Sequence, residues 1–246
     1  MPANIIDRER RGLLRIGAAA VLAYSLPRLA FGQPATDKLK IGIIGSGHIG
    51  STIGGFWVKA GHPVLFSSRH PEELKKLTDE LGPLAKAGTV DDALAFGEVI
   101  LLAVPYRAIP QIAKDYGPKF AGKVVLDADN AVAARDGEDL VKETREKGIG
   151  NTTASYLPGA HIVRAFNSMG YRIFLNESHR SGEPLAIPIA GDDKHALEVA
   201  TQLVRDAGFE PVAVPLARAE EFAQGGPVYG QQLTAKELRQ RFGIAQ

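Results

Sequence analysis

Three glycines in this sequence have the types and spacing to bind a phosphate. Gly45, Gly47 and Gly50 follow the apolar run Ile41–Ile44 and precede residues with helical spacing. In a G-x-G-x-x-G turn the first glycine allows a tight bend, the second lets the backbone approach a pyrophosphate, and the third lets the helix pack on the strand. Free N–H groups at the start of the helix attract anions. The spacing therefore predicts a dinucleotide-binding turn.

The residues after the next predicted strand indicate which dinucleotide fits. Ser67, Ser68 and Arg69 follow the apolar segment 63–66. In an NAD site an Asp or Glu near this place binds the ribose 2′-hydroxyl. Here small hydroxyls leave room for a 2′-phosphate, and Arg69 can pair with it through its planar fork, so NADP is favoured over NAD. A solvated turn that caps the helix starting at Pro71 is compatible with this interpretation.

Polar side chains at the ends of later strands are candidates for orienting a substrate. Asn130 follows the predicted strand 123–126, and Asn167 and Ser168 follow the predicted strand 161–166. Ligands of open α/β sheets lie beyond the carboxyl ends of the strands, although loop capping is an alternative role for these side chains. We predict no catalytic residue, because the sequence offers no histidine–carboxylate or serine–lysine arrangement that suggests one. We also predict no metal ligand.

An alternation of strands and helices positions these residues. The unbroken apolar run 99–104 is typical of a central parallel strand that is covered on both faces. The predicted fold is α/β, a Rossmann-type doubly wound parallel sheet with a short α/β C-terminal part. We expect an NADP-binding domain over residues 38–158 and a smaller acceptor-side part over residues 159–246, which ends in a helix capped by Thr234 and Glu237.

Composition excludes several classes of function. The chain has 246 residues, 45% of them hydrophobic, and a formal net charge of +1. This charge argues against a nucleic-acid partner, which normally requires a concentrated basic face. Because the sequence contains no cysteine, disulfides, thiolate metal sites and a cysteine nucleophile are excluded.

The first 32 residues are typical of an export signal. Arg10 and Arg11 begin a basic segment, the apolar run 16–23 is too short to span a bilayer, and the segment 30–32 is rich in small residues. The arginine pair resembles the twin-arginine signal, with Glu9 as a minor departure. A basic tail or a helix lying on a membrane is the alternative. We expect a soluble, exported, periplasmic protein without a stable membrane span.

Several motifs in one order resemble the deazaflavin-dependent NADP oxidoreductase family. They are the glycine turn, the pair Ser68-Arg69, and the segments 103–105, 165–167, 191–193 and 225–227. The glycine turn is common to many families, whereas the ordered combination is more specific. The resemblance covers residues 38–243.

The resemblance implies NADP(H) binding and hydride transfer to a deazaflavin- or flavin-like acceptor. It implies a pyrophosphate contact for Gly45, Ser46, Gly47, His48 and Ile49, a 2′-phosphate contact for Ser68 and Arg69, and a ribose and nicotinamide contact for Ala103, Val104 and Pro105. His70 stands where archetypal members tend to carry a second arginine, and export is unusual for the family.

The expected partners are a small-molecule hydride acceptor and, for residues 1–32, the export machinery. A homodimer is compatible with the sequence. Two other functions stay open. One is a small imine or hydroxyacid reductase, which generally has a long all-helical second domain, and the other is a protein that binds NADP(H) without turning it over.

Overall fold

The computed structural model describes residues 38–245, and eight strands within this range form a single sheet. The predicted export signal lies outside the described residues. The strands are β1 (Ile41–Ile44), β2 (Val64–Ser67), β3 (Ala85–Gly88), β4 (Val99–Leu102), β5 (Val124–Asp127), β6 (His161–Arg164), β7 (Ala186–Ala190) and β8 (Glu210–Val214). Their order across the sheet is β3-β2-β1-β4-β5-β6-β7-β8.

Helices cover both faces of this sheet. They are α1 (His48–Lys59), α2 (Lys75–Leu81), α3 (Val90–Phe96), α4 (Ile109–Tyr116), α5 (Ala133–Asp136), α6 (Glu138–Lys147), α7 (Ile149–Tyr156), α8 (Tyr171–Glu177), α9 (Lys194–Asp206) and α10 (Ala235–Phe242). One apolar core contains residues of α1, α8 and α9, and a second core contains residues of α3, α4, α7 and α10. Two cores on opposite faces are the mark of a doubly wound α/β sheet, which confirms the predicted fold class.

The central strands are buried along their whole length. Every residue of β1, β2, β4 and β5 is buried, as expected for parallel strands that are covered on both faces. Trp57 of α1 adds a polar link, because its indole Nε1 donates a hydrogen bond of 2.7 Å to the carbonyl oxygen of Leu203 on α9.

The last two strands run against the other six. Arg164 of β6 pairs with Ala190 of β7 in the antiparallel sense, and β7 pairs with β8 in parallel. The sheet is thus mostly parallel. The predicted domain boundary at residue 158 falls between α7 and β6, and the strands on both sides of it belong to the same sheet. Since β7 is reversed, the turn at Asp192 and Asp193 lies beside the amino ends of β1 to β6, whereas the glycine turn lies at their carboxyl ends. Beside the amino end of β6, the Asp193 carboxylate pairs with His161 at 3.2 Å.

Some elements were not predicted from the sequence. The edge strand β3 exposes its two middle residues and has no apolar run, and α8 is only seven residues long. The predicted capping box of Thr234 and Glu237 is confirmed at the start of α10. Among the described residues, the helices are all too short or too polar to cross a bilayer.

Candidate functional site

The glycine turn leaves open space where a phosphate could approach. Gly45 has a φ of +97°, a conformation that side chains rarely adopt. A Cβ at Gly50 would lie 2.0 Å from the carbonyl oxygen of Gly45, so this glycine permits the close contact of α1 with the turn. A Cβ at Gly47 would meet nothing within 4 Å, so the backbone here faces open space.

The start of α1 fits an anion. Among residues 38–245, no side chain caps this helix, and its first turn has no acidic residue. The first N–H groups of a helix need acceptors, and the helix dipole favours negative charge at this end. A pyrophosphate over Gly47 would supply both the acceptors and the charge.

Two cavities meet at the glycine turn. One of about 690 Å³ extends towards the end of β2, and the other of about 510 Å³ extends towards the ends of β5 and β6. Gly47, Val104 and Pro105 line both cavities. The first cavity is also lined by Gly45, Ser46, Ser67, Ser68 and Arg69, and the second by His48, Ile49, Ala103, Asn130 and Asn167.

Hydroxyl groups and cations line the larger cavity. The Ser46 hydroxyl donates a hydrogen bond of 3.0 Å to the Ser67 carbonyl oxygen, and the Ser67 hydroxyl is buried without a partner in the described part of the chain. Arg107, which the sequence analysis did not single out, lines this cavity together with Arg69. His70 does not line it, and its Nδ1 lies 3.3 Å from the Glu72 carboxylate.

An asparagine holds three segments together at the smaller cavity. The Asn130 Nδ2 donates to the Asn167 carbonyl oxygen at 2.7 Å. The Asn130 Oδ1 accepts from the Asn167 Nδ2 at 3.3 Å and from the Gln224 backbone N–H at 3.2 Å. The two asparagines therefore brace the cavity wall, and the buried Asn167 Oδ1 is left without a partner in residues 38–245.

Ser168 has a different position from the two asparagines. It is buried and does not line the cavity, and its carbonyl oxygen accepts a hydrogen bond of 2.8 Å from the Gly230 N–H. Phe166, two residues before it, has a φ of +59°, which is unusual for a residue other than glycine. Phe166 lies just after β6, at the wall of the cavity. Local backbone strain of this kind often accompanies function.

Two aromatic rings stack beside the start of α1. The His48 and Tyr171 rings are 4.3 Å apart between centroids, with an angle of 8° between their planes. Both residues line the smaller cavity. The stack joins the glycine turn to the first residue of α8 and forms one wall of the cavity.

A buried charge cluster lies behind the smaller cavity. Arg164 Nη1 and Asp127 Oδ2 are 2.5 Å apart, and both side chains are fully buried. Asp129, which is 3% exposed, accepts a hydrogen bond of 2.7 Å at Oδ1 from the Val104 backbone N–H. Burial and the neighbouring charge of Asp127 raise the pKa of Asp129 well above the usual range.

Several cavity residues were not predicted from the sequence. Some lie in elements that were not predicted, and others lie next to residues that were predicted to line the site. Tyr171 begins the unpredicted helix α8, and Arg107 lies in the turn just after Pro105. Asp129 directly precedes Asn130, so its position as a second polar residue after β5 could have indicated that it lines the site. The others in the smaller cavity are Arg135, Gln224 and Tyr229.

Comparison with known proteins agrees with this geometry. Residues 40–131 match the family model described as NADP oxidoreductase, coenzyme F420-dependent. The matched segment extends from the glycine turn through the residues that follow β5, and it includes Arg69, Arg107 and Asp129. Residues 40–131 are thus similar to an NADP oxidoreductase domain.

Individual relatives extend the similarity beyond that domain. A hypothetical protein from Sinorhizobium meliloti, SMa0349, has 28% sequence identity and a TM-score of 0.70, with 80% of this chain and 96% of that chain covered. A putative F420-dependent NADP-reductase from Arthrobacter sp. FB24 has 22% identity and a TM-score of 0.66, with 84% and 96% covered, which shows the same fold.

A curated relative is longer than this chain. Metalloreductase STEAP3 of Rattus norvegicus is 30% identical over 186 residues, which are 74% of this chain. The chain spans 35% of the length of that relative.

Proposed function

We propose that this protein is an oxidoreductase that transfers hydride between NADP(H) and a planar ring acceptor of the deazaflavin or flavin type. The observation that carries the proposal is the pair of cavities that meet at Gly47, beside the uncapped start of α1. The pyrophosphate would lie over this glycine. The adenosine half would extend towards Arg69 and the nicotinamide towards Ala103–Pro105, which line the cavity that remains for the acceptor.

The charges of the larger cavity support NADP over NAD. Arg69 and Arg107 both line it, so two guanidinium groups are available to a 2′-phosphate. Glu73 and Asp115 also line this cavity, and the Asp115 carboxylate accepts two hydrogen bonds, of 2.8 and 2.9 Å, from the Gln111 side chain. We infer that Arg107 supplies the second cation that His70 does not.

The lining of the smaller cavity supports a planar acceptor. Tyr171 and Phe166 contribute aromatic surface, whereas Asn130 and Gln224 contribute polar groups at its edge. Such a lining suits a flat ring with hydrogen-bonding substituents. When bound, the nicotinamide supplies the hydride, and the protein contributes orientation and electrostatics. The role of Asn130 and Asn167 would be to hold the wall against which the acceptor is oriented.

Nucleotide titration is the first test of this proposal. Calorimetric titration of the purified protein with NADPH and NADH should give clearly tighter binding of NADPH. Equal affinity for the two nucleotides, or no binding, would refute the NADP assignment.

A panel of acceptors is the second test. Oxidation of bound NADPH is followed with a deazaflavin, a flavin, a quinone and a ferric chelate. Oxidation by the deazaflavin or the flavin is expected. Tight binding without oxidation by any member would support the non-catalytic NADP(H)-binding protein instead, and turnover of imines or hydroxyacids would support the small reductase.

We also propose export of the protein through residues 1–32. The order of basic residues, apolar run and small residues in the sequence supports this. Fusion of residues 1–36 to a reporter should lead to translocation, and replacement of Arg10 and Arg11 by Lys should stop it. Unchanged translocation of the variant would contradict the twin-arginine route.

A further inference from the structure

The buried cluster at the ends of β5 and β6 contains more carboxyl groups than cations. Asp127 and Arg164 form an ion pair of 2.5 Å, and neither side chain is exposed. The Asp129 backbone N–H donates to the Asp127 Oδ1 at 2.9 Å, which holds the second carboxyl group close to the first. Two buried carboxyl groups therefore lie beside one guanidinium.

The contacts of Arg164 show that it pairs with the carboxyl group of Asp127. Arg164 Nη2 donates to the main-chain carbonyl oxygen of Asp129, not to its carboxyl group. The Asp127 Oδ2 also accepts a hydrogen bond of 2.7 Å from the Thr153 hydroxyl. By contrast, the Asp129 Oδ2 is buried and has no hydrogen-bond partner in residues 38–245. Burial without a cation of its own favours the neutral form of a carboxyl group.

The other ionisable groups that face Asp129 do not provide the missing charge. Tyr106 hydrogen-bonds Thr153 at 3.0 Å, and burial and the charge of Asp127 raise its pKa, so it stays neutral. The Arg135 guanidinium is paired with the Asp136 carboxylate at 2.8 Å, so its attraction for Asp129 is weak. Asp127, Arg164 and Arg135 are the charged groups that act on the pKa of Asp129, and His48, Tyr171 and Tyr229 line the same cavity.

The position of Asp129 couples it to the cofactor. Its Oδ1 holds the Val104 N–H, and both Val104 and Asp129 line the smaller cavity. If NADP(H) binds as proposed above, the nicotinamide lies beside these residues. The reduced nicotinamide is neutral and the oxidised ring carries a positive charge, which is the one cation that the cluster lacks.

We propose that Asp129 carries the proton that accompanies hydride transfer, protonated beside the reduced nicotinamide and ionised beside the oxidised one. This inference rests on the proposed function. In the forward step the C4–H bond of the nicotinamide breaks, and hydride adds to the acceptor ring. The displaced electron pair on the acceptor takes a proton. The Asp129 O–H bond breaks to supply it, directly or through water, and the resulting carboxylate faces the nicotinamide cation.

Charge and atoms balance in this step. The acceptor gains one hydride and one proton, the cofactor loses one hydride, and Asp129 loses one proton. Asp129 regains a proton from solvent when the oxidised nucleotide leaves. The binding of oxidised nucleotide to the resting, protonated site must therefore release a proton, whereas the binding of reduced nucleotide need not.

Proton counting by calorimetry tests the inference on the full-length protein. NADP⁺ and NADPH are titrated separately in two buffers with different ionisation enthalpies, which gives the number of protons released with each nucleotide. The binding of NADP⁺ should release up to one proton more than the binding of NADPH. The 2′-phosphate is common to both nucleotides, so its own titration cancels.

A variant and a matched control assign the proton. Asp129→Asn keeps an oxygen for the Val104 N–H but has no acidic proton, so the difference in proton release should disappear. Asp139→Asn removes an exposed carboxylate on α6 and should leave the difference unchanged. Equal proton counts in the wild-type protein, or a difference that persists in Asp129→Asn, would overturn the inference while NADP(H) binding still stands.

A measurement on the wild-type protein alone covers the case in which Asp129→Asn does not fold. Below the pKa of the resting Asp129, the affinity for NADP⁺ relative to NADPH should rise with pH by up to tenfold per unit. A ratio that does not change with pH contradicts the inference. Failure of both nucleotides to bind would refute the proposed function. Binding of both nucleotides with equal proton release would refute only the role of Asp129, so the two failures are distinguishable.

Discussion

At the scale of single residues, the three glycines of the turn have different physical roles. Gly50 is needed for the fold, because a Cβ there would overlap the Gly45 carbonyl oxygen at 2.0 Å. Gly47 has open space on the side where a Cβ would stand. Stability and binding can therefore be separated by mutation within one motif.

Gly47→Ala should weaken NADPH binding and leave the fold intact. The added methyl group meets no protein atom, but it occupies the space through which a pyrophosphate would reach the backbone N–H groups. We expect a loss of NADPH affinity of about tenfold or more, near 1.4 kcal/mol, in a calorimetric titration. Gly50→Ala is the control and should lower the thermal stability instead. Unchanged NADPH affinity in Gly47→Ala would show that the phosphate does not approach this glycine.

The two arginines of the larger cavity can be tested by the same method. Arg69→Ala and Arg107→Ala should each weaken NADPH binding by roughly tenfold, because hydrogen bonds to charged groups contribute about 1.5–3 kcal/mol and exposure reduces this value. NADH, which lacks the 2′-phosphate, should bind the variants and the wild type equally. Lys76→Ala, on the exposed side of α2, is the control. Equal losses for both nucleotides would assign these arginines to another part of the cofactor.

At the scale of elements, the ends of β5 and β6 are held together by charge. The Asp127–Arg164 pair joins neighbouring strands, and Asn130 extends the connection to Asn167 and the segment at Gln224. These contacts fix the wall of the smaller cavity. Their loss should affect the strand ends more than the apolar cores.

Removal of one partner of the buried pair should be costly. Arg164→Met leaves two buried carboxyl groups without a cation, and breaking such a pair typically costs about 3–5 kcal/mol. Urea unfolding should show this loss in the free energy of unfolding. The double variant Asp127→Asn with Arg164→Met removes both charges and should recover part of it. A single variant as stable as the wild type would mean that the pair contributes little.

The sequence predicts those elements whose signals lie within a few neighbouring residues, and it does not predict those that depend on contacts between distant residues. The apolar runs of β1, β4 and β5 and the glycine turn predict the doubly wound sheet, because each signal lies within a few residues. The reversal of β7 and the pairing of Asp127 with Arg164 depend on contacts between residues that are far apart in the chain. The weak edge strand β3 and the short helix α8 have no strong periodicity, so Tyr171 could not be placed near His48.

At the scale of the whole molecule, the raised pKa of Asp129 makes stability depend on pH. The unfolded chain loses this proton near pH 3.9, the ordinary value for Asp, whereas the folded protein keeps it. Between that pH and the raised pKa, the folded state binds more protons than the unfolded state. The contribution of Asp129 to the free energy of unfolding must therefore fall as the pH rises.

Asp129→Asn provides the comparison that isolates this effect. The wild-type protein should lose up to about 1.4 kcal/mol of stability per pH unit relative to the variant, until the pH reaches the raised pKa of Asp129. Groups with lowered pKa values, such as Asp136, act in the opposite direction but are present in both proteins and cancel. Urea unfolding of both proteins at pH 5, 6 and 7 measures the difference. A difference that is constant over this range would mean that Asp129 is ionised in the folded protein.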